Sequence, residues 1–223
     1  LERSAAVLKP DPDVDIRPAE VGGIHVEWHR PPEYDPGRVI FYLHGGGYIA
    51  GSVNSHRDLA SRLSRAAAAT LLVSDYALAP EHPFPAGLDD AFTLYDALVT
   101  GPAPPERICL AGDSAGGGLA LALFQRLQDK DLPLPDGLVL FSPWTDLTCQ
   151  GASIRENREK DFMINQPMLE RTARLYTDQD LSSPLISPVN GTYETVPPCL
   201  IQVGANEALL DDSKRMARKL ETG

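Results

Sequence analysis

The stretch that most restricts how this chain can fold is Ile108-Cys109-Leu110-Ala111-Gly112-Asp113-Ser114-Ala115-Gly116-Gly117-Gly118, an apolar run that breaks into Gly-x-Ser-x-Gly and reopens as a helical pattern. It reads as a strand, a sharp turn and a helix. Such a turn holds its serine in a strained conformation with the hydroxyl raised above the sheet, and the glycines keep side chains from colliding with the strand or the helix. Ser114 is therefore the candidate nucleophile. Downstream, Leu119, Leu123, Phe124 and Leu127 share one helical face that can pack on a sheet.

Glycines and serines also mark ordinary loops, so the neighbours decide what the motif means. Upstream, Arg38-Val39-Ile40-Phe41-Tyr42-Leu43-His44-Gly45-Gly46-Gly47-Tyr48 is again a buried strand running into glycines. His-Gly-Gly-Gly is the form that supplies oxyanion-hole amides in lipases and esterases, because backbone N–H groups approach a substrate oxygen closely only where no Cβ intervenes. With these motifs, Tyr76-Ala77-Leu78-Ala79-Pro80-Glu81-His82-Pro83-Phe84-Pro85-Ala86 and Ser142-Pro143-Trp144-Thr145-Asp146, the chain resembles the hormone-sensitive-lipase-like bacterial carboxylesterases of the α/β-hydrolase fold. The resemblance covers nearly all of residues 16 to 223. It implies an α/β fold with a mostly parallel central sheet, helices on both faces and a partial cap drawn from about residues 1–15 and 148–196. One departure is Ala77, where the family usually places an arginine; it removes an ion pair and touches no catalytic role.

A length of 223 residues fits a single domain, 1–223, with a large core. Lysine and arginine number 20 against 31 acidic residues, for a net charge of −11, so nucleic acid and an anionic membrane surface are poor partners. Three cysteines cannot form a closed disulfide framework; Cys109 and Cys199 lie in apolar strand-like runs, as small buried hydrophobes do in a reducing compartment. A cytoplasmic setting is expected. No apolar run approaches the roughly 20 residues that span a bilayer, and no signal-peptide pattern opens the chain.

In order along the chain, residues 1–15 carry Pro10-Asp11-Pro12-Asp13 and read as an extended lead-in. Residues 23–30 alternate as a strand with His25, Glu27 and His29 on one face. An exposed face of an early antiparallel strand explains that trio better than a metal site, since no fourth ligand lies nearby. Asn54 or Ser55 can cap a helix whose Leu59, Leu63 and Ala66 share a face. Residues 70–74 form a buried strand, and a proline-dense loop over 79–85 precedes a helix marked by Leu88, Ala91, Phe92, Tyr95 and Val99. By resemblance His82, in that loop, is structural or supports the site without acting as base. Strand 107–111, helix 115–130 and strand 138–141 alternate as parallel pairing requires. Residues 148–196 show no core strand, a charge cluster over 155–161 and one helix from 166 to 176; Phe162, Met163, Ile164, Leu169 and Tyr176 are its apolar residues. Residues 199–204 read as a buried strand, and Glu207 follows its closing glycine by three positions.

In the resembling family an aspartate usually sits where Glu207 stands. Glutamate can do the same work, accepting a histidine's Nδ1 proton, while Asp211 competes for the role but suits a helix N-cap. The expected activity is that of a serine carboxylesterase on short-chain or small esters. Ser114 attacks, the amides of Gly46, Gly47 and Ala115 hold the oxyanion, and a histidine oriented by Glu207 moves the proton. Tyr48 and Trp144 are candidate pocket walls, with core packing as the other meaning of such aromatics. No metal or organic cofactor is called for. In this fold the triad runs serine, acid, histidine, and all five histidines, His25, His29, His44, His56 and His82, precede Ser114. The base is thus expected beyond the acid, and by resemblance roughly thirty residues beyond it, past Gly223, which reads as a helix stop. A protein ending there is expected to be nearly inactive and to expose residues 200–203 as an apolar sheet edge, through which it would aggregate or form a homodimer. The alternatives are a non-catalytic small-molecule-binding protein on the same fold and an inactive truncated esterase.

Overall fold

The computed structural model describes residues 8–130 and 132–222. The start of the expected lead-in, residues 1–7, and the expected helix stop at Gly223 lie outside the described residues. Seven strands form one sheet: β1 Asp15–Val21, β2 Ile24–Arg30, β3 Asp35–Leu43, β4 Ala69–Ser74, β5 Arg107–Asp113, β6 Gly137–Phe141 and β7 Cys199–Gln202. Their order is β1-β2-β4-β3-β5-β6-β7, with β2 antiparallel to both neighbours and every other pairing parallel. The helices are α1 Val53–Ala67, α2 Ala86–Thr100, α3 Ala115–Asp129, the single turn α4 Ser153–Glu156, α5 Gln166–Tyr176 and α6 Leu210–Glu221.

Central strands buried on both faces need near-continuous apolar sequence, and β4 is buried at all six positions. One face packs Tyr42, Leu71, Val73 and Ala111 against Val53 and Ala60 of α1. The other packs Phe41, Leu43, Leu72, Leu110 and Leu140 against α2, α3 and α6 through Leu94, Leu119, Leu123 and Met216. Each such large side chain contributes about 1.5–3 kcal/mol on burial. Among the described residues no helix is long and apolar enough to cross a membrane.

The helix and strand periodicities place the elements, but several faces differ from expectation. Glu27 and His29 are 3% and 0% exposed, not on a solvent face, because α1 lies across that side of β2. Arg57 of α1 pairs with Glu27 there. Burial pushes the Glu27 carboxyl up, and the neighbouring His29 ring and the Arg57 guanidinium outweigh it, bringing it to about 2. Helix α1 is capped by Ser52 in a reciprocal box with Ser55, rather than by Asn54 or Ser55. That entry angle turns Ala60, Ser61 and Ser64 onto the sheet and leaves Leu59 exposed. The helix approaches closely, and the Ser61 and Ser64 hydroxyls stay satisfied by donating to Asp58 O and Ser61 O.

Strand β7 is the last of the sheet, so Cys199 is exposed and Leu200 is 56% exposed. Cys199 is therefore not the buried residue its apolar run suggested, while the apolar edge expected over 200–203 is present. Helix α6 begins two residues before Asp212, with Leu209 at its N-cap, so Asp211 lies in the first turn instead of capping it.

Candidate active site

Ser114 sits between β5 and α3 at φ 52° and ψ −121°. A non-glycine residue there is strained by about 1–3 kcal/mol and must be held by its surroundings. Its N–H donates to Phe141 O at 2.8 Å, and its carbonyl accepts from Trp144 N at 2.9 Å and Gly118 N at 3.1 Å. A Cβ on Gly116 would overlap the carbonyl oxygens of Leu43 and His44, so α3 meets the end of β3 backbone to backbone. The glycine turn after β3 is thereby brought against Ser114. Gly46, at φ 127°, is equally required, since a Cβ would strike Ala50 O. The Gly46 carbonyl accepts from Ile49 N and Ala50 N, while the Gly46 and Gly47 N–H groups have no acceptor among the described residues. Ala115 opens α3, so its N–H is one of the helix's unpaired donors.

Beneath this turn the residue preceding the serine is a hub. Asp113 Oδ1 accepts from Gly45 N at 2.8 Å and Tyr42 Oη at 2.9 Å, and His56 Nε2 stands 3.2 Å from the same oxygen. Burial pushes the Asp113 carboxyl up, and the His56, Tyr42 and Gly45 contacts outweigh it, leaving it below its ordinary value. His44 is buried and stacks on Tyr76 at 4.3 Å; Tyr76 Oη donates to His44 O at 2.7 Å. Its Nδ1–H donates to Gly45 O at 2.8 Å, and burial lowers its pKa to about 4 against that hydrogen bond.

Glu207 lies on the loop after β7, half-buried, with Oε1 accepting from Gly204 N at 2.7 Å. The loop is pinned from the 148–196 segment: Asn157 Nδ2 donates to Glu207 O at 2.9 Å, Ser153 Oγ to Ala208 O at 2.6 Å, and Ala208 N to Asp161 Oδ2 at 2.8 Å. Asp211 accepts from Ser153 N at 3.0 Å, a contact within this pinning. Its neighbour Asp212, which sequence reasoning passed over, is fully buried and accepts from Thr145 N and Asp146 N at 2.9 Å each.

Burial above all raises the Asp212 pKa to about 7 from 3.8, with Asp146 adding to it and the two backbone donors and Arg215 opposing. Folding therefore takes up a proton at this group between its unfolded and folded values. Its stabilising contribution is complete below about pH 4 and is lost as the pH rises to about 7. Asp212→Asn removes that linkage, so its melting temperature relative to the parent should climb by several degrees from pH 4.5 to pH 7.5. A difference that stays constant across thermal melts in that range would overturn the raised value.

Tyr48 and Trp144 are 3% and 1% exposed, so the structure packs both rings into the core below the site and leaves little of them for a substrate to touch. Tyr48 stacks on Tyr176 of α5 at 3.9 Å, and Trp144 Nε1 donates to Asp146 O. Helix α5 thus lies on the glycine turn, where a Cβ on Gly47 would come within 2.8 Å of Thr172 Cγ2. Beside the pinned loop, Phe162 and Met163 are 96% and 80% exposed. By contrast, residues 8–14 run along the C-terminal half of α1, through Asp11 N to Ser61 Oγ and the Arg65 pairs with Asp11 and Asp13. That half of α1 leads into the start of β4, so it lies at the end of the sheet remote from Ser114.

Among the described residues no histidine is hydrogen-bonded to Ser114. His25 faces Asp75, His29 faces Glu27, His44 and His56 are engaged beneath the turn, and His82 is exposed rather than built into the structure. The sequence signal missed was the carboxylate directly before the serine, which has no periodic pattern to announce it.

Residues 40–223 match the family described as the alpha/beta hydrolase fold. The chain is 45% identical over 197 residues to an acetyl-hydrolase of Streptomyces hygroscopicus, covering 88% of this chain and 66% of that protein. It is 37% identical to an esterase of Acinetobacter venetianus, covering 99% of this chain and 73% of the relative. The chain thus spans about two thirds to three quarters of these relatives. Among solved structures, an esterase from the bacterial hormone-sensitive lipase family superposes with a TM-score of 0.96 at 37% identity, covering 99% of this chain and 75% of that one. With a family model over residues 40–223 and a match of this closeness over 99% of its length, the chain belongs to the α/β-hydrolase fold family, in its hormone-sensitive-lipase-like branch.

Proposed function

We propose that this chain carries the nucleophile, the oxyanion donors and the acid of a serine carboxylesterase that hydrolyses short-chain or otherwise small esters through an acyl-enzyme. The observation that carries the reading is Ser114 at positive φ on a strand-to-helix turn, beside the unpaired amides of Gly46, Gly47 and Ala115. Ser114 Oγ attacks the ester carbonyl, and the three amides stabilise the oxygen on which charge develops. Loss of one such donor raises the barrier by roughly 3–4 kcal/mol. Glu207 orients a histidine that takes the serine proton and returns it to the leaving alcohol; water then releases the acid. We place that histidine in the portion of the relatives' length, a quarter to a third, that these residues do not span. The segment 148–196 acts as the cap, through α5 on the glycine turn and α4 on the acid loop.

The relatives called acetyl-hydrolase and, at 30% identity, ethyl acetate hydrolase from Pseudomonas putida support small acyl groups. Three free cysteines support a cytoplasmic setting. The test is hydrolysis of p-nitrophenyl acetate, butyrate and palmitate by the full natural chain. Turnover that is highest on acetate or butyrate supports the reading, and absence of turnover on all three overturns it.

A further inference from the structure

Among the groups the proposed chemistry leaves unassigned, His56 is the best connected. It lies on α1, 9% exposed, and its Nε2 stands 3.2 Å from Asp113 Oδ1. A carboxylate oxygen only accepts, so Nε2 carries the hydrogen and donates. On its other side Nδ1 meets Ser55 Oγ at 2.9 Å, and Ser55 closes the capping box of α1 through Ser52 N. The ring is further held by His44, stacked on it at 5.4 Å. The same Asp113 oxygen receives the N–H of Gly45, the residue immediately before Gly46 and Gly47. Asp113 is itself covalently next to Ser114.

We propose that His56 is a positioning residue, which through Asp113 and Gly45 fixes the glycine turn at the spacing from Ser114 that the oxyanion requires. The Tyr42 and Gly45 donors and the His56 ring converge on one half-buried oxygen, so removing the His56 N–H lets the Asp113 carboxyl rotate or take up a proton. A protonated Asp113 no longer attracts the Gly45 N–H as strongly. The slack reaches Gly46 and Gly47, which follow directly. Preorganised donors act only when they already stand at hydrogen-bond distance from the developing charge, so a shift of about half an ångström is felt in the chemical step and hardly in substrate binding.

The test compares His56→Leu, which removes the donor, with His56→Gln, whose side-chain amide can replace the Nε2–H, in the full natural chain. Two readouts are taken: steady-state p-nitrophenyl butyrate kinetics, and the Gly45 amide proton shift in a nitrogen-edited NMR spectrum. His56→Leu should lower kcat about ten- to a hundredfold with KM within about threefold, and move the Gly45 amide upfield; His56→Gln should restore most of both. The kinetic arm rests on the esterase reading. Should the parent show no turnover, that reading fails while the Gly45 shift still decides the His56 proposal. An unmoved Gly45 amide in His56→Leu, or an equal loss in both variants, overturns it.

Discussion

Replacing Ser114 by alanine should lower ester turnover by roughly 10⁵-fold or more while leaving the melting temperature within a few degrees of the parent. The hydroxyl makes no hydrogen bond among the described residues, and the strained backbone is held by main-chain contacts to Phe141, Gly118 and Trp144 that an alanine keeps. Nothing structural is removed except the attacking oxygen. The measurement is the initial rate on p-nitrophenyl butyrate beside a circular dichroism melt, using the full natural chain. A folded variant with activity comparable to the parent would place the nucleophile elsewhere.

Glu207→Gln should cost about 10³- to 10⁴-fold in kcat, and Asp211→Asn far less. Both side chains hang from the same stretch after β7, yet their surroundings differ. Glu207 Oε1 is anchored by Gly204 N, and Oε2 has no partner among the described residues, so it is available to an imidazole. Asp211 is occupied by Ser153 N, and its neutralisation loosens one hydrogen bond worth about 1 kcal/mol of stability. Rates of both variants decide, and the reverse ranking would transfer the role of acid to Asp211.

The serine elbow and the glycine turn could be read from the sequence because each demands a backbone geometry that contiguous residues must encode. The alternation of strands and helices was legible for the same local reason. The burial of Glu27 and His29 was not, since it depends on α1 arriving some thirty positions later with Arg57 on the matching face. Asp211 and Asp212 are indistinguishable as letters. About 100° apart around α6, one meets the α4 backbone and the other is sealed beneath Thr145 and Asp146. The Asp113 hub stayed hidden because its donors come from β3, the glycine turn and α1, which only the fold assembles.

The contact of Thr172 with Gly47 has a consequence for how this scaffold can diversify. Helix α5 belongs to the segment with no strand of its own, yet it rests on the turn that must keep its glycines. Libraries randomised at Phe162 and Met163, which touch solvent, should therefore yield mostly folded clones. Libraries at Thr172 or Tyr176 should yield mostly misfolded ones, because bulk added there presses on the Gly47 backbone or on the Tyr48 ring stacked against Tyr176. Sequence change would then accumulate at the tip before α5 while α5 itself stays fixed.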